Sequence, residues 1–342
     1  MAEQSPSIID VAQLAGVSVA TASRVMSRSS YPVSEVTRQK VLSAALELNY
    51  VPNSLARSLR VQRSSLIAVL VGDSTDPYFA EIARGVEETA NEHGYLTIIC
   101  NAERDPRKEL HYLRSLQDYR IDGVIFAGGG LNIPEHIQQL EEIVQQMRKR
   151  GAEIITLSQH TLQVPSIQAD NFGGARQMTR RLIALGHRRI AFVAGPGDLL
   201  VANVRLQGYM SALIEAGYTV DPTLILQGNF THESGEQAVL RIAHLDSSQR
   251  PTAIFAANDE TAFGVLRGLS RQGWRVPANF SVCGFGDIPM AELMVPPLTT
   301  VHIPLRELGR SGATYLLALL NHESVPSLEV LPTTIVERET MA

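Results

Sequence analysis

Short apolar segments alternate with amphipathic segments from Ser64 onward, and this alternation limits the fold more than any other feature of the chain. Strands are predicted at 66–72, 95–100, 121–127, 153–158, 190–194, 223–227, 252–257, 281–286 and 299–303. Helices are predicted at 79–93, 107–119, 134–150, 173–186, 203–216, 233–245, 260–272 and 305–321. Strands that alternate with helices form βαβ units, in which helices cover both faces of a parallel sheet. We therefore expect an α/β body made of doubly wound parallel sheets.

The body, residues 64–342, is too long for a single sheet, and two proline-containing breaks divide it. Val164-Pro165 separates two similar halves, and Pro296-Pro297 is placed to return the chain to the first half. These breaks predict an N-lobe at about 64–164 and 297–325, and a C-lobe at about 165–296 and 326–342. Open α/β sheets bind ligands at the carboxyl ends of their strands, so the cleft between the lobes is the expected ligand site.

The first 52 residues carry a different pattern, which predicts three short helices at about 8–15, 19–27 and 35–48. Apolar residues recur at helical spacing in the first helix, Gly16 suits a tight turn, and Ser18 can cap the second helix. This helix-turn-helix pattern predicts a DNA-binding domain over 1–52. The residues expected to be buried together are Leu14, Val25, Val41, Leu42, Ala45 and Leu48.

Residues 53–63 are predicted to form a hinge helix and linker between head and body. An isolated helix of fewer than about 12 residues is marginal in water. We expect this segment to be disordered in the free protein and helical on DNA.

Charge is divided unevenly along the chain, whose formal net charge is −5. Residues 1–63 hold seven Arg or Lys against four Asp or Glu, or +3, and the remaining residues carry −8. A basic head on an acidic body confines the attraction for phosphates to the head.

Other classes of protein and site are not favoured by the composition. The longest apolar runs are much shorter than the roughly 20 residues that span a bilayer, and the N-terminus lacks a secretory signal pattern, so a cytoplasmic protein associated with the nucleoid is expected. Cys100 and Cys283 lie in predicted strands without neighbouring metal-ligand spacing, which favours buried reduced thiols. No metal or cofactor is expected.

Motifs throughout the chain resemble those of the lactose/galactose repressor (LacI/GalR) family. In the head these are Asp10-Val11-Ala12, the run from Gly16 to Val25, and Tyr50-Val51-Pro52-Asn53. In the body they are the runs 76–82, 121–125, 186–190, 205–209, 257–260 and 297–301. The resemblance implies a homodimer that binds near-palindromic operator DNA, with a body like the periplasmic sugar-binding proteins acting as a small-molecule switch.

The same resemblance implies roles in DNA binding. Val19, Ala20 and Arg24 match positions that face base edges, and an arginine can donate two hydrogen bonds to guanine. Hydroxyl groups near helix starts are expected to contact phosphates or to cap helices, and the hinge is expected to contact the minor groove, where Leu59 matches an apolar wedge. The full predicted set is Ser7, Ser18, Val19, Ala20, Thr21, Ser23, Arg24, Asn53, Ala56, Arg57, Leu59 and Arg60. The alternatives are ordinary helix residues in the head and a dimer core at Leu59.

In the cleft, the resemblance implies that aromatic rings stack on the effector and that Arg205 grips its oxygen atoms. The full predicted set is Tyr78, Phe79, Asp170, Asn171, Arg205, Phe230, Asn258, Asp259 and Asp287. The alternatives are core packing for the rings, a surface salt bridge for Arg205 and helix capping for Asn258 or Asp259.

This chain departs from the family pattern at one position in the cleft: the family usually has Gly-(Phe or Tyr)-Asp-Asp where this chain has Gly284-Phe285-Gly286-Asp287. Gly286 thus replaces the usual acceptor of ligand hydroxyls, which makes an ordinary free hexose a less secure effector.

The sequence favours one function over two others. The expected one is a repressor controlled by a sugar or sugar derivative, with a nucleoside or purine effector as the alternative. An enzyme is not favoured, because the glycine-rich segments 128–130 and 195–197 lack the spacing of phosphate-binding loops. A secreted sugar-binding protein would lack the basic head.

Overall fold

The computed structural model describes residues 6–26, 31–50 and 64–342, which separate into a head (to Ser64) and a body (from Ser65). The head contains α1 (Ile8–Ala15), α2 (Val19–Met26) and α3 (Glu35–Glu47). Gly16 takes a left-handed φ of 64° after α1, and the chain bends by 108° between α1 and α2. A bend of this size over a three-residue turn is the geometry of a helix-turn-helix unit. The predicted helix-turn-helix unit is therefore confirmed.

The core of the head differs in part from the predicted set. Val25, Val41 and Ala45 are buried, together with Val11, Ala12, Ala22 and Ala44. Leu14 and Leu42 are 48% and 42% exposed, so their expected burial was wrong. On α3 the buried positions 41, 44 and 45 follow helical spacing, and position 42 lies about 100° around the helix from position 41.

The first lobe of the body is built on a six-stranded sheet with the order β11-β5-β4-β3-β1-β2. Every pairing in it is parallel. Its strands are β1 (Leu66–Val71), β2 (Leu96–Asn101), β3 (Gly123–Phe126), β4 (Glu153–Thr156), β5 (Ser166–Ala169) and β11 (Leu328–Leu331). Its helices are α4 (Pro77–Glu92), α5 (Pro106–Asp118), α6 (Pro134–Lys149) and α12 (Leu305–Leu320).

The second lobe has a six-stranded sheet with the order β12-β10-β9-β8-β6-β7, in which only β12 is antiparallel to its neighbour. Its strands are β6 (Ile190–Val193), β7 (Ile225–Leu226), β8 (Ala253–Ala256), β9 (Ser281–Gly286), β10 (Thr299–His302) and β12 (Thr334–Val336). Its helices are α7 (Asn171–Ala184), α8 (Leu200–Glu215), α9 (His232–Ala243), α10 (Asp259–Arg271) and the short α11 (Met290–Leu293).

Helices cover both faces of each sheet. In the first lobe, leucines of α5 and α6 pack on one face, and α4 and α12 contribute to a core cluster on the other. In the second lobe, apolar residues of α9 and α10 pack in one core cluster, and apolar residues of α7 and α8 pack in the core cluster on the other face of the sheet. The predicted doubly wound α/β body is confirmed. Strands β5, β11 and β12 and helix α11 were not predicted.

The chain passes between the lobes at positions that differ from the predicted boundaries. Ser166–Ala169 and Leu328–Leu331 pair with each other in the first sheet, although both were expected in the C-lobe. Thr299–His302 pairs with Cys283–Gly286 in the second sheet, although it was expected in the N-lobe. These strands extend each sheet by pairing with the neighbouring strand, a preference that local sequence does not show. The crossings therefore lie at 169–171, 302–305 and 331–334.

Among the described residues, no single helix is long and apolar enough to span a membrane. Only α1 and α2 taken together reach that length and apolar content, and a 108° bend separates them. Cys100 and Cys283 are buried free thiols, as expected. The predicted hinge, which includes Asn53, Ala56, Arg57, Leu59 and Arg60, lies outside the described residues.

Candidate functional site

One face of the head presents the predicted recognition residues. Val19, Ala20 and Arg24 of α2 are exposed, whereas Ala22 and Val25 of the same helix are buried against the head's core. The Arg24 guanidinium stacks on the Tyr31 ring at 4.1 Å from its centroid. Helix α2 therefore displays one arginine and two small apolar side chains on its exposed face.

Hydroxyl groups fix the starts of α1 and α2. Ser18 Oγ accepts a hydrogen bond from the Thr21 backbone N–H at 3.1 Å, which caps α2. The backbone N–H and the hydroxyl of Ser7 both donate to Asp10 Oδ2 at 2.7 Å. These hydrogen bonds from Ser7 hold the pKa of Asp10 below its usual value. Ser7 and Ser18 thus stabilise the helix starts of the DNA-free head, Thr21 supplies the N–H that Ser18 caps, and Ser23 is half-buried on α2.

A cavity lies in the body between the carboxyl ends of the two sheets. Residues of the first lobe that line it include Gly72, Asp76, Tyr78, Phe79, Arg104, Glu109, Gly128, Gly129, Ser158 and His160. Residues of the second lobe include Leu199, Val201, Arg205, Phe230, Asn258, Asp259, Glu260, Phe285 and Ile288. Of the nine predicted effector-binding residues, this wall brings together Tyr78, Phe79, Arg205, Phe230, Asn258 and Asp259.

Arg205 is a buried cation in the cavity wall, only 4% exposed. Its Nε donates to Asn171 Oδ1 at 2.8 Å and its Nη1 donates to the Ala257 carbonyl oxygen at 2.6 Å. The guanidinium also lies 4.0 Å from the centroid of the Phe285 ring. All of these partners are neutral, so the charge of Arg205 has no carboxylate hydrogen-bonded to it in the described residues. A polar or anionic oxygen of a ligand would complete this planar donor group.

Asp170 and Asn171 do not line the cavity. Asp170 is the N-cap of α7, and its Oδ1 accepts from the Gly173 backbone N–H at 2.8 Å. Asn171 uses its Oδ1 on Arg205 and its Nδ2 on Gln159 Oε1 and the Ala169 carbonyl oxygen, both at 3.1 Å. Asn171 therefore orients the arginine without facing the cavity itself.

The three predicted aromatic rings belong to the apolar part of the wall. Tyr78 and Phe79 pack edge to face, with centroids 5.1 Å apart, at the start of α4. Phe230 has a left-handed φ of 67°, and its backbone oxygen accepts from Asn258 Nδ2 at 3.0 Å. Asn258 also caps α10 through its Oδ1, which is the alternative role considered for it, and its Nδ2 additionally holds the loop that carries Phe230.

Asp259 is buried, and both carboxylate oxygens already have donors in the protein. Its Oδ1 accepts from the Thr300 hydroxyl at 2.5 Å, and its Oδ2 accepts from the Ile288 backbone N–H at 2.9 Å. Burial raises the pKa of Asp259 to about 6, although these hydrogen bonds oppose the rise. The side chain lies against Gly284 and Gly286, where a Cβ would come within 2.3 Å and 3.2 Å of its oxygens.

Asp287 does not reach the cavity. Its Oδ1 accepts from Arg338 Nη2 at 2.7 Å and its Oδ2 lies 2.9 Å from His302 Nδ1. The side chain is thereby held toward the C-terminal segment. Asp287 cannot replace the acceptor that the family usually has at the position of Gly286.

The sequence interpretation missed Asp76 and Arg104. Asp76 caps α4 by accepting from the Tyr78 backbone N–H at 2.9 Å, and burial raises the pKa of Asp76. Arg104 has a left-handed φ of 55° and lies 3.8 Å from Asp76, 5.9 Å from the Phe79 ring and 5.7 Å from the Phe230 ring. Only Asp76 had a local signal, since an aspartate before proline at a helix start is a common cap. The position of Arg104 depends on a turn whose conformation the sequence does not reveal.

Backbone hydrogen bonds join the two lobes beside the cavity. The Asn132 N–H donates to the Asp198 oxygen at 2.7 Å and the Leu200 N–H donates to the Gly130 oxygen at 3.0 Å. Gly129 permits this approach, because a Cβ there would lie 3.0 Å from Val201 Cγ1. The glycine-rich segment 128–130 thus serves close contact between lobes. We call this pair of hydrogen bonds the lobe bridge.

The described residues contain no group of three or more His, Cys, Asp or Glu that could hold a metal ion.

Comparisons with known proteins identify the family. Residues 7–53 match the model of bacterial regulatory proteins of the lacI family, and residues 179–341 match a periplasmic binding protein-like domain. The HTH-type transcriptional repressor PurR of Aliivibrio fischeri (strain ATCC 700601 / ES114) is 35% identical over 310 residues, which cover 91% of this chain and 90% of the relative. The chain belongs to the lacI family.

Solved structures of lacI-family proteins agree with this assignment. A lac repressor dimer bound to operator and the anti-inducer ONPF matches with a TM-score of 0.84 and 29% identity, covering 99% of this chain and 100% of the other. A complex of the transcriptional regulator CelR with cellobiose matches with a TM-score of 0.71 and 33% identity, covering 98% and 99%. This lacI-family member is therefore a DNA-binding transcriptional regulator and not an enzyme.

Proposed function

We propose that this regulator represses transcription as a homodimer on a near-palindromic operator, and that a small molecule in the cleft changes its affinity for that DNA. The observation that carries the proposal is the pairing of two features in one chain. A helix-turn-helix head exposes Val19, Ala20 and Arg24, and a two-lobed body encloses the incompletely paired Arg205. As a DNA-binding regulator it would act in the cytoplasm, at the nucleoid.

In the operator complex, Arg24 would donate to guanine, and Val19 and Ala20 would contact base edges such as thymine methyl groups. Ser7, Ser18, Thr21 and Ser23 would contact phosphates near the helix starts. The hinge segments, with Asn53 and Ala56, would fold in the minor groove, where Leu59 would insert between bases. Arg57 and Arg60 would lie beside phosphates. Half-sites on one face of the duplex suit a dimer with twofold symmetry.

The effector would be a sugar or a sugar derivative, or else a nucleoside or purine. The rings of Tyr78, Phe79 and Phe230 supply flat apolar surface for a ring-shaped molecule, and Arg205 supplies donors for its oxygens. Closing the lobes on such a molecule would strengthen the lobe bridge and shift the hinge segments of the two subunits. A coupling of about 1 to 3 kcal/mol between the two sites is typical for such a switch.

Two measurements test the proposal. First, the purified full chain is used to select duplexes from a randomised DNA library, and operator affinity is measured at several salt concentrations. We expect a near-palindromic site whose binding weakens steeply with salt. Second, melting temperature is screened against sugars and nucleosides, and compounds that bind are added to the operator complex. A chain that selects no DNA sequence at low salt, yet binds sugars, would be a sugar-binding protein without DNA function, and the proposal would be wrong.

A further inference from the structure

The first-lobe wall of the cavity carries a group of three side chains from separate segments, which we call the Glu109 cluster. It consists of Glu109 on α5, His136 on α6 and His160 in the loop after β4. Glu109 and His160 line the cavity, and His136 is buried, only 4% exposed. Neither Glu109 nor His136 was predicted from the sequence to belong to the site.

Polar atoms of this cluster lack hydrogen bonds within the described residues. Glu109 Oε1 and both ring nitrogens of His136 are buried without a hydrogen-bond partner. The closest approach, His136 Nε2 to Glu109 Oε1, is 3.6 Å, which is too long for an N–H···O hydrogen bond. Native proteins leave few buried polar groups unpaired, and each one calls for a partner. His160 does not supply it: its Nδ1 accepts from the Leu162 backbone N–H, and its other ring nitrogen makes no hydrogen bond to Glu109 Oε1. Burial also lowers the pKa of His160 to about 4, so the ring carries no charge at neutral pH.

The charges around the cavity favour a donor as that partner. Two guanidinium groups line it, Arg104 and Arg205, against four carboxyl groups, which are those of Asp76, Glu109, Asp259 and Glu260. Burial raises the pKa of Asp76, Asp259 and Glu260 above their usual values. Arg104 faces Asp76 and Arg205 is bonded to neutral groups, so no arginine pairs with Glu109. A ligand group that brings hydrogen-bond donors or positive charge therefore fits this wall best.

We propose that Glu109 is the specificity-determining residue of the cavity and that it receives an amino group of the effector. The proposal rests on the proposed function, in which this cavity holds the effector. Glu109 belongs to the first lobe and Arg205 to the second. A molecule whose amino nitrogen donates to Glu109 and whose oxygen accepts from Arg205 would therefore bind both lobes at once. Amino sugars and nucleosides with an exocyclic amine both have this chemistry.

Matched pairs of compounds test the proposal on the full-length protein: glucosamine with glucose, cytidine with uridine, and adenosine with inosine. Binding is measured by calorimetry and by melting temperature for the wild type and for Glu109→Met, Glu109→Gln and the exposed control Glu135→Gln. In at least one pair we expect the wild type and the control to bind the amino member at least tenfold more tightly. The preference should shrink in Glu109→Gln, which keeps an acceptor oxygen, and vanish in Glu109→Met. A preference in the glucosamine and glucose pair would indicate an amino sugar as effector, and a preference in either nucleoside pair would indicate an amino nucleobase.

The proposal is overturned if no amino member is preferred in any pair, or if the preference survives in Glu109→Met. It is also overturned if the melting temperature of ligand-free Glu109→Met falls by about 5 °C or more, because Glu109 would then be a structural residue. Removal of an unpaired polar group is expected to leave that temperature unchanged or to raise it. Operator binding is measured on the same samples. A wild type that does not bind operator DNA would contradict the proposed function, but it would not change the result on whether amino compounds bind more tightly.

Discussion

Asn171 Oδ1 accepts a 2.8 Å hydrogen bond from Arg205 Nε, and this contact joins the crossing between the lobes to the buried cation of the cavity. Asn171 at the start of α7 is itself held by Gln159 and the Ala169 carbonyl oxygen, so two first-lobe groups fix, through Asn171, the position of a second-lobe arginine. The geometry of the effector site therefore depends on the relative position of the lobes.

Asn171→Ala removes this acceptor and leaves a buried guanidinium short of one hydrogen bond. Hydrogen bonds to charged groups contribute about 1.5 to 3 kcal/mol, so the free energy of unfolding should fall by roughly that amount. Asp170→Ala, which removes only a helix cap, should cost about 1 kcal/mol. Urea unfolding of both variants checks the order. Equal losses in the two variants would show that Asn171 does not support Arg205.

Arg24→Ala should weaken operator binding by about 1 to 3 kcal/mol, or roughly 5- to 150-fold, because a bidentate contact to guanine is lost. Arg24→Lys keeps the charge but not the planar pair of donors, so it should lose discrimination between bases while keeping most of the affinity for random DNA. Affinity is measured on the selected operator and on a scrambled duplex. The control is Arg38→Ala, whose side chain lies 3.7 Å from Glu35 on α3. If Arg24→Lys discriminates as well as the wild type, Arg24 does not contact a base edge.

Leu59→Ala should lower operator affinity and DNA bending while leaving effector binding by the body intact. The expected reason is loss of an apolar wedge between two bases of the minor groove. Bending is measured by energy transfer between dyes at the two ends of an operator duplex. An unchanged bend angle together with unchanged affinity would remove the wedge from the proposed complex.

Asp259→Asn should change how stability depends on pH. The folded pKa of about 6 is above the ordinary value of 3.8, so the folded state binds the proton more tightly than the unfolded state. The stability that this proton contributes is complete below about pH 4 and is lost as the pH rises to about 6, a change of roughly 3 kcal/mol. The wild type should therefore lose stability relative to Asp259→Asn between pH 4 and pH 7. Parallel curves for the two proteins would show that the carboxyl pKa is not raised.

Gly129→Ala should loosen the lobe bridge. The added Cβ would lie 3.0 Å from Val201 Cγ1 and 3.4 Å from Leu199 Cδ1, so the lobes must separate slightly. Overpacking of this kind costs about 1 to 3 kcal/mol, and hydrogen exchange at the Asn132 and Leu200 amides should accelerate roughly 5- to 150-fold. Gly197→Ala is the matched control, since nothing lies within 4 Å of its Cβ position. Exchange that accelerates equally in both variants would exclude a specific role for Gly129.

Much of the fold was predictable because local sequence carries the period of its secondary structure. Each of the long helices and buried strands of the body has an apolar spacing that marks it. The short strands Ser166–Ala169, Leu328–Leu331 and Thr334–Val336 have no such mark. They exist because a neighbouring strand offers hydrogen-bonding partners, so only the assembled sheets define them and the true crossings between lobes.

Six of the nine predicted effector-binding residues meet in the cavity because they follow strands whose carboxyl ends share one edge. Asp170, Asn171 and Asp287 were placed there by the family resemblance alone. In the structure Asp170 caps α7, Asn171 accepts from Arg205, and Asp287 accepts from Arg338. A motif fixes where a residue lies along the chain, but competing partners decide where its side chain points.

The sequence by itself determined the recognition helix, the α/β body and the family, because spacing, caps and motifs are local properties of the chain. Tertiary structure alone decided which polar groups around the cavity are paired. Arg205 finds its acceptors at Asn171 and Ala257, whereas Glu109 Oε1 and the ring of His136 find none in the described residues. Hydrogen bonds form only within about 3.2 Å, and residues far apart in sequence reach that distance only when both lobes are folded and packed.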